Sequence, residues 1–316
     1  MTNNRRYYRI AEITIQVDSD LPMNDTTFCD AIELFRVDGP GADTVRIWHH
    51  FQLPELCVQD LGKPLYRHPP WAVYRRGDSW IYLGILLHTD EATFHKVVVC
   101  NHDHTLAHIY NDRDTMYRAG NLPSLTIFAT DQILIARLIA DRHGLCLHSA
   151  GAILNGAGVL FVGQTGVGKS TTMRMLMEAR VPGDPMGPLQ VEILCDDRNI
   201  VRRWESERAG ISRWRVYGTW SHGDVTVVSP SFAPLRAICF VEQADGNTVT
   251  PLTDRKEIVR RLLGCVVRPF VTADWWNKTM DVVEQISCEV PCYMMRFDLS
   301  GKIVGELRRL IHGEKE

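Results

Sequence analysis

The residues with the clearest chemistry in this 316-residue chain form a glycine-rich pattern, G-x-x-x-x-G-K-[ST]. The pattern is spelled Gly163, Gln164, Thr165, Gly166, Val167, Gly168, Lys169 and Ser170, and Thr171 follows it. Glycines in this pattern let backbone N–H groups surround phosphate oxygens, the lysine reaches the β- and γ-phosphates, and the hydroxyl ligates Mg²⁺. Residues 163–171 therefore predict a site for a nucleoside triphosphate with Mg²⁺.

The residues on either side of the loop have the types that such a loop needs. Residues 158–162 are an apolar run typical of a strand, and residues 169–180 have the composition of a helix. A helix that starts at the loop adds the partial positive charge of its N-terminus to the phosphate site. The pattern identifies a ligand and not a reaction, because kinases, GTPases and motor ATPases share this loop.

Two adjacent carboxylates follow the next apolar strand. The run Ile193–Cys195 ends in Asp196 and Asp197. In a parallel sheet we expect this strand beside the loop strand, so that both carboxylates lie where the γ-phosphate and Mg²⁺ would be. One carboxylate could accept the proton of an attacking hydroxyl and the other could hold the metal. The residues alone leave open which one has which role.

A histidine precedes the loop strand. His148 lies in the short run Leu147–Gly151. At the entrance of a nucleotide site, its imidazole could form a hydrogen bond with the catalytic carboxylate or the transferred phosphoryl group. The alternative is a core histidine whose hydrogen bonds are satisfied by its neighbours.

Periodicity divides the chain into two parts. Residues 7–112 alternate between apolar and polar side chains and predict a mostly antiparallel β domain. Residues 126–142 have a helical pattern and predict a helix that links the two halves. We therefore predict a β-rich domain over residues 1–125 and an α/β domain over residues 126–316. Strands predicted in the second domain include Leu145–Leu147, Ala152–Leu154 and Val225–Val228.

Composition restricts the class of protein. The formal net charge is -3, which argues against a protein that neutralises a nucleic-acid backbone. We find no signal peptide and no apolar stretch long enough to cross a membrane, so we expect no membrane partner. The nine cysteines are widely spread, which is typical of a reduced cytoplasmic protein.

The order of these features resembles a known family. The runs Leu147–Gly163, Gly166–Ser170 and Cys195–Asp197 resemble the C-terminal catalytic domain of HPr kinase/phosphorylase. The closer resemblance is to HPr-kinase-like proteins found beside peptide-maturation clusters, including kinases that phosphorylate a serine of a lasso-peptide precursor. Those relatives carry a segment similar to Arg215–Asp224, although the proline of that segment is missing here.

This resemblance implies a fold and an activity. The fold would be a P-loop kinase domain related to phosphoenolpyruvate carboxykinase, preceded by a β-rich N-terminal domain that could dock the substrate. The activity would be the ATP- and Mg²⁺-dependent phosphorylation of a serine on a peptide or small protein. The scaffold also suits a small-molecule kinase, a phosphorylase or a non-catalytic nucleotide-binding regulator, and the oligomeric state stays open.

The resemblance also assigns roles to individual residues. Asp196 would be the general base, Asp197 a metal or water partner, and His148 a supporting group near the transferred phosphoryl. Asp224 and Ser170 would be further Mg²⁺ ligands.

Overall fold

The computed structural model describes residues 3–85, 94–126, 131–178, 189–204, 214–268 and 272–312. These residues form a mixed α/β protein with two large, mostly antiparallel β-sheets. The chain divides into two units, Met1–Leu138 and Ile139–Glu316.

The alternating residues of the first unit form a nine-stranded sheet. Its order is β3-β1-β2-β4-β9-β8-β7-β6-β5, and most neighbours are antiparallel, while β2–β4 and β4–β9 are parallel pairs. The strands are β1 Arg5–Ile10, β2 Ile13–Ser19, β3 Arg36–Val37, β4 Thr44–His50, β5 Tyr66–His68, β6 Trp71–Arg76, β7 Ser79–Ile85, β8 Phe94–Cys100 and β9 Leu106–Asn111.

The helices of this half of the chain are short. They are α1 Asp30–Glu33, a 3₁₀ helix at Val58–Leu61, α2 Thr115–Ala119 and α3 Asp131–Ala140. Helix α3 falls within the predicted helix 126–142, of which residues 127–130 lie outside the described part. The Asp131 carboxylate accepts hydrogen bonds from the backbone N–H groups of Leu125 at 2.6 Å and Thr126 at 2.9 Å. The two units divide within α3, between Leu138 and Ile139.

After α3, the described residues of the second unit form an eight-stranded sheet and four helices. The strands are β10 Gly144–Leu154, β11 Ala157–Val162, β12 Val191–Cys195, β13 Arg198–Arg203, β14 Trp214–Tyr217, β15 Phe232–Gln243, β16 Thr248–Pro251 and β17 Cys292–Phe297. The helices are α4 Lys169–Glu178, α5 Arg255–Cys265, α6 Ala273–Glu289 and α7 Ile303–His312. Asp254 caps α5 by accepting hydrogen bonds from the N–H groups of Lys256 and Glu257, and Thr272 caps α6 through Trp275 N–H.

Two long strands close part of this sheet into a ring. Strand β10 pairs with β11 through its second half and with β13 through its first half. Strand β13 pairs with β14, β14 with the start of β15, and β15 with β11 in parallel. The ring therefore runs β10-β13-β14-β15-β11 and returns to β10. Strand β12 pairs with β10 beside this ring.

The loop strand β11 is buried on both faces. Leu160 and Val162 belong to the core cluster that contains α5 and α6 residues, whereas Val159 and Phe161 belong to the cluster that contains α4 and α7 residues. A strand covered on both sides has to be apolar at successive positions, which explains the continuous apolar run in the sequence.

Two predicted strand assignments need correction. Leu145–Leu147 and Ala152–Leu154 are parts of the single strand β10, because the intervening Ser149–Gly151 also pairs with β11. Val225–Val228 is not a strand; its first N–H group is bonded to the carboxylate of Asp196 at 2.9 Å.

All nine thiols are free, and six of the cysteines are buried. Among the helices that the structure describes, none is long and apolar enough to cross a membrane.

Candidate functional site

Several strand ends meet at one edge of the second sheet. Strands β12, β11 and β15 run in the same direction, since β10 is antiparallel to both β11 and β12 and β15 is parallel to β11. The order at this edge is β12-β10-β11-β15. The prediction that β12 lies directly beside the loop strand is therefore wrong, because β10 intervenes. His148 lies on this intervening strand, between the glycine-rich loop (residues 163–168) and the two carboxylates of Asp196 and Asp197.

The glycine-rich loop, residues 163–168, connects β11 to α4 in a conformation that needs glycine. Gly166 has a φ of +87° and Gly168 a φ of +104°, both in the left-handed region. At Gly168 a side chain would also meet Phe297 of β17, because a Cβ there would lie 2.5 Å from its Cζ. The Gly168 carbonyl accepts hydrogen bonds from the backbone N–H of Thr172 at 2.9 Å and its hydroxyl at 3.0 Å.

Lys169 is buried at the start of α4, with 6% exposure. Its Nζ donates to the carbonyls of Gly163 at 2.7 Å and Gln164 at 2.9 Å. It also lies 3.1 Å from Nε2 of His148. Burial lowers the pKa of Lys169, and the neighbouring Cys265 and Asp197 partly oppose this shift. The ammonium is therefore a desolvated cation held by neutral acceptors.

His148 connects the loop to the acidic pair. Its Nδ1 lies 3.1 Å from both the backbone oxygen and Oδ1 of Asp197. An ammonium can only donate, so Nε2 accepts from Lys169 and Nδ1–H donates to Asp197. The hydroxyl of Thr165 lies 3.5 Å from Nε2. His148 is thus held by groups on both sides of its ring.

Asp197 is surrounded by donors. Its Oδ2 accepts a 2.5 Å hydrogen bond from the Ser221 hydroxyl and lies 2.9 Å from Nη1 of Arg198. Burial would raise the pKa of Asp197, but the hydrogen bonds from His148 and Ser221 and the charge of Arg198 together lower it to about 2. Asp197 is therefore a persistent anion.

Asp196 is held differently, through the backbone of the loop that follows β14. Its Oδ1 accepts the Gly223 N–H at 2.5 Å and its Oδ2 accepts the Val225 N–H at 2.9 Å. The residue is 3% exposed. A Cβ at position 223 would lie 3.3 Å from both carboxylate oxygens, so the glycine allows this close approach. Asp196 positions the backbone on either side of Asp224.

Asp224 projects from this loop into solvent. Its side chain is 75% exposed, and its Oδ2 lies 3.8 Å from Nη2 of Arg174. In the described part of the chain, no three His, Cys, Asp or Glu side chains form a metal-binding group. Mg²⁺ usually takes one or two carboxylates together with substrate phosphates and water. Ser170, Asp197 and Asp224 line one pocket, and each carries an oxygen of the type that Mg²⁺ binds.

The pocket over the loop has a volume of about 350 Å³. This falls within the range of roughly 300–1,000 Å³ that is typical of small-molecule sites. It is lined by His148, Thr165, Gly166, Gly168, Lys169, Ser170, Thr171, Asp196, Asp197, Gly223, Asp224 and Gln243.

Three of the predicted loop residues do not line the pocket and instead support it. Gly163 and Gln164 bind Lys169 through their carbonyls. Val167 packs beside Gly163, since a Cβ at position 163 would lie 2.7 Å from its Cγ2.

Sequence reasoning missed several residues of the site. Arg198 and Ser221 bind Asp197, and Gln243 lines the pocket from the end of β15. Asn199 is fully buried, and its Nδ2 donates to the Ser149 carbonyl at 2.7 Å, which joins β13 to β10 next to His148. Arg198 and Asn199 directly follow Asp196 and Asp197 in the sequence, and this position was the feature that could have indicated that they belong to the site.

The fold and the site together define a mixed α/β protein in which a glycine-rich loop, a histidine and two aspartates share one pocket. The chain belongs to the family described as SynChlorMet cassette protein ScmC, which matches residues 121–312. The matched range contains all the residues of this pocket. No curated protein matches the chain.

Proposed function

We propose that this protein is an ATP- and Mg²⁺-dependent kinase that transfers the γ-phosphoryl group to a serine hydroxyl of a peptide or small protein. The proposed fold of the second unit is that of the HPr-kinase-like P-loop kinases, related to phosphoenolpyruvate carboxykinase. The observation that carries the proposal is the continuous contact from Lys169 through His148 to Asp197, with Asp196 in the same pocket.

The positive charge of the site lies at Lys169 and at the N-terminus of α4. Both are directed at the loop, where they would neutralise phosphate oxygens. Because Lys169 is buried, its charge acts in a medium that screens it less than water would. Electrostatic stabilisation and positioning supply most of the catalysis in phosphoryl transfer.

The two aspartates differ in how suited they are to accept a proton. Asp197, with a pKa of about 2, is a weak base at neutral pH, and its Oδ2 already has two donors. We therefore assign proton acceptance from the serine hydroxyl to Asp196, whose oxygens each accept one backbone N–H. Asp197 anchors His148.

Mg²⁺, when bound, would neutralise phosphate charge, and its protein ligands would be Ser170, Asp197 and Asp224. The requirement for ATP and the free thiols are consistent with a cytoplasmic protein.

The proposed acceptor of the phosphoryl group is a serine in a peptide. The resemblance to peptide-maturation kinases favours a serine in a peptide. In the first unit, strand β5 is the last strand of the sheet and its three residues are exposed, and a peptide could add to such an edge. The family's description calls its members cassette proteins. A neighbouring gene that encodes a precursor peptide would support the proposed acceptor.

Transfer of labelled phosphate from ATP tests the proposal. The purified protein is incubated with MgATP and candidate peptides, and the products are identified by mass spectrometry. We expect phosphoserine with the wild-type protein, a loss of roughly 10²-fold or more in Asp196→Asn, as for removal of a general base, and little change in the control Asp281→Asn. Asp281 is exposed on α6, away from the pocket.

Three other outcomes would contradict the proposal. Phosphate on a small molecule would indicate a small-molecule kinase. Formation of serine and pyrophosphate from a phosphoserine peptide and added inorganic phosphate would indicate a phosphorylase. ATP binding without turnover, unaffected by Asp196→Asn, would indicate a regulatory protein.

A further inference from the structure

Gln243 occupies the side of the phosphate loop opposite to the Asp pair. It is the last residue of β15, the parallel neighbour of the loop strand β11. Side chains at the carboxyl ends of neighbouring parallel strands face the same crevice, which is where ligands of open α/β sheets bind. Gln243 lines the pocket together with Lys169 and Ser170.

The side chain of Gln243 contacts the loop backbone directly. Its Nε2 donates to the carbonyl oxygen of Gly166 at 3.3 Å. A Cβ built at Gly168 would lie 3.6 Å from the same Nε2, so the amide lies against two of the loop glycines. Gln243 itself is exposed, and the contact is made at the open side of the loop.

This hydrogen bond fixes the direction of the next N–H group. In a planar trans peptide the C=O and the following N–H point in opposite directions. A donor that holds the Gly166 carbonyl therefore turns the Val167 N–H away from Gln243. Because Gly166 is in the left-handed region with a φ of +87°, and glycine passes easily between conformations, this peptide needs an external contact to keep one orientation.

We propose that Gln243 is a positioning residue for the glycine-rich loop: it holds the Gly166–Val167 peptide in one orientation and thereby sets the affinity of the loop for a triphosphate. This inference rests on the proposed function, because it assumes that the loop binds the triphosphate of ATP. Gln243 lies at the end of β15, outside the G-x-x-x-x-G-K-[ST] motif, so the motif alone does not predict its role.

A matched control is available on the same strand. Glu242 precedes Gln243 and points to the other face of β15. Its Oε1 accepts from Arg261 at 2.9 Å and its Oε2 from Arg296 at 3.3 Å. Glu242→Gln therefore changes the neighbouring side chain without removing a contact to the loop.

The experiment compares Gln243→Leu, Glu242→Gln and the wild-type protein by calorimetric titration with MgATP and with inorganic tripolyphosphate. We expect Gln243→Leu to weaken both ligands by the same factor, roughly 3- to 10-fold, which corresponds to the loss of one hydrogen bond. We expect Glu242→Gln to bind both as the wild type does. Hydrogen exchange of the Val167 amide should be faster in Gln243→Leu at an unchanged melting temperature.

Unchanged affinity for both ligands, or weaker binding of MgATP alone, would overturn the inference while leaving the proposed function in place. A wild-type protein that binds neither ligand would instead contradict the proposed function. In that case the exchange rate still tests Gln243: an unchanged rate at the Val167 amide in Gln243→Leu would overturn its role in positioning the loop. Where the leucine variant does not fold, Gln243→Met has a similar length, carries no charge and removes the same donor.

Discussion

His148 and Lys169 share a hydrogen bond in which Nε2 of the imidazole lies 3.1 Å from Nζ of the ammonium. This contact fixes the proton of the imidazole on Nδ1, the ring nitrogen that does not face the lysine, and Nδ1–H donates to Asp197. The imidazole of His148 therefore connects the ammonium of Lys169 to the carboxylate of Asp197.

The first prediction concerns His148. We expect His148→Ala to lower the rate of phosphoryl transfer by roughly 10- to 100-fold, since hydrogen bonds to charged groups contribute about 1.5–3 kcal/mol. MgATP affinity should change less, because Lys169 keeps its bonds to the Gly163 and Gln164 carbonyls. Steady-state kinetics separate the two effects. His222→Ala is the control, as His222 is exposed, and equal losses in both variants would disprove the role of His148.

The second prediction concerns Lys169. Lys169→Met removes the buried cation at nearly constant volume, and we expect the dissociation constant of MgATP to rise by roughly 10- to 100-fold, as for the loss of charge-assisted hydrogen bonds. Calorimetric titration measures it. Lys256→Met, on the exposed first turn of α5, should bind as the wild type does. Wild-type affinity in Lys169→Met would exclude the loop as the triphosphate site.

The third prediction separates conformational strain from steric clash within the loop. Gly166→Ala meets nothing within 4 Å and should cost about 1–2 kcal/mol of unfolding free energy through its positive φ alone. Gly168→Ala adds a clash with Phe297 and should cost about 1–3 kcal/mol more. Gly305→Ala, inside α7 with free space around it, should be neutral or stabilising.

Urea unfolding measures all three glycine variants. The double variant Gly168→Ala/Phe297→Leu should recover part of the loss, because the smaller side chain relieves the clash. Equal stabilities of Gly166→Ala and Gly168→Ala would show that Phe297 does not limit the space at this position.

The fourth prediction concerns the pH dependence of stability. The pKa of Asp197 is about 2 in the folded protein and about 3.9 in an unfolded chain. The unfolded state therefore binds the proton more readily, so the stability that Asp197 contributes is present above about pH 4 and is lost as the pH falls towards about 2. Its size is on the order of 2 kcal/mol, since the residue is mostly buried.

Urea unfolding of the wild type and Asp197→Asn over this pH range tests it. The difference in unfolding free energy between them should shrink as the pH falls. A difference that is constant with pH would contradict the shifted pKa.

Local sequence patterns predicted the positions of the strand and helix at the site, but they did not predict which strands lie next to each other. The apolar run before Gly163 is strand β11, and helix α4 begins at Lys169 as the motif requires. These features depend on residues close in sequence, namely glycines that permit positive φ and a continuous apolar run that is covered on both faces. Local chemistry of this kind can be read directly from the sequence.

Sheet order and side-chain partners could not be predicted in the same way. The placement of β10 between β11 and β12 depends on pairing between distant segments, and no periodicity distinguishes it from an adjacent parallel pair. Ser221 and Gln243 contact the site from loops and strand ends whose positions follow from that pairing. The apolar residues of Val225–Val228 predict a strand, but the segment is irregular, and the N–H of Val225 donates to the carboxylate of Asp196 instead of to a neighbouring strand.

The ring of strands β10, β13, β14, β15 and β11 also determines when the pocket can form while the chain is being synthesised. Strand β11 and the phosphate loop leave the ribosome early, but their parallel partner β15 ends only at Gln243. Until that strand has emerged, the loop strand has one exposed edge and the loop glycines have no contact with Gln243. A nascent chain cut before residue 243 therefore carries the complete phosphate-loop motif without a formed pocket, so ribosome-bound chains should acquire nucleotide affinity only after this length.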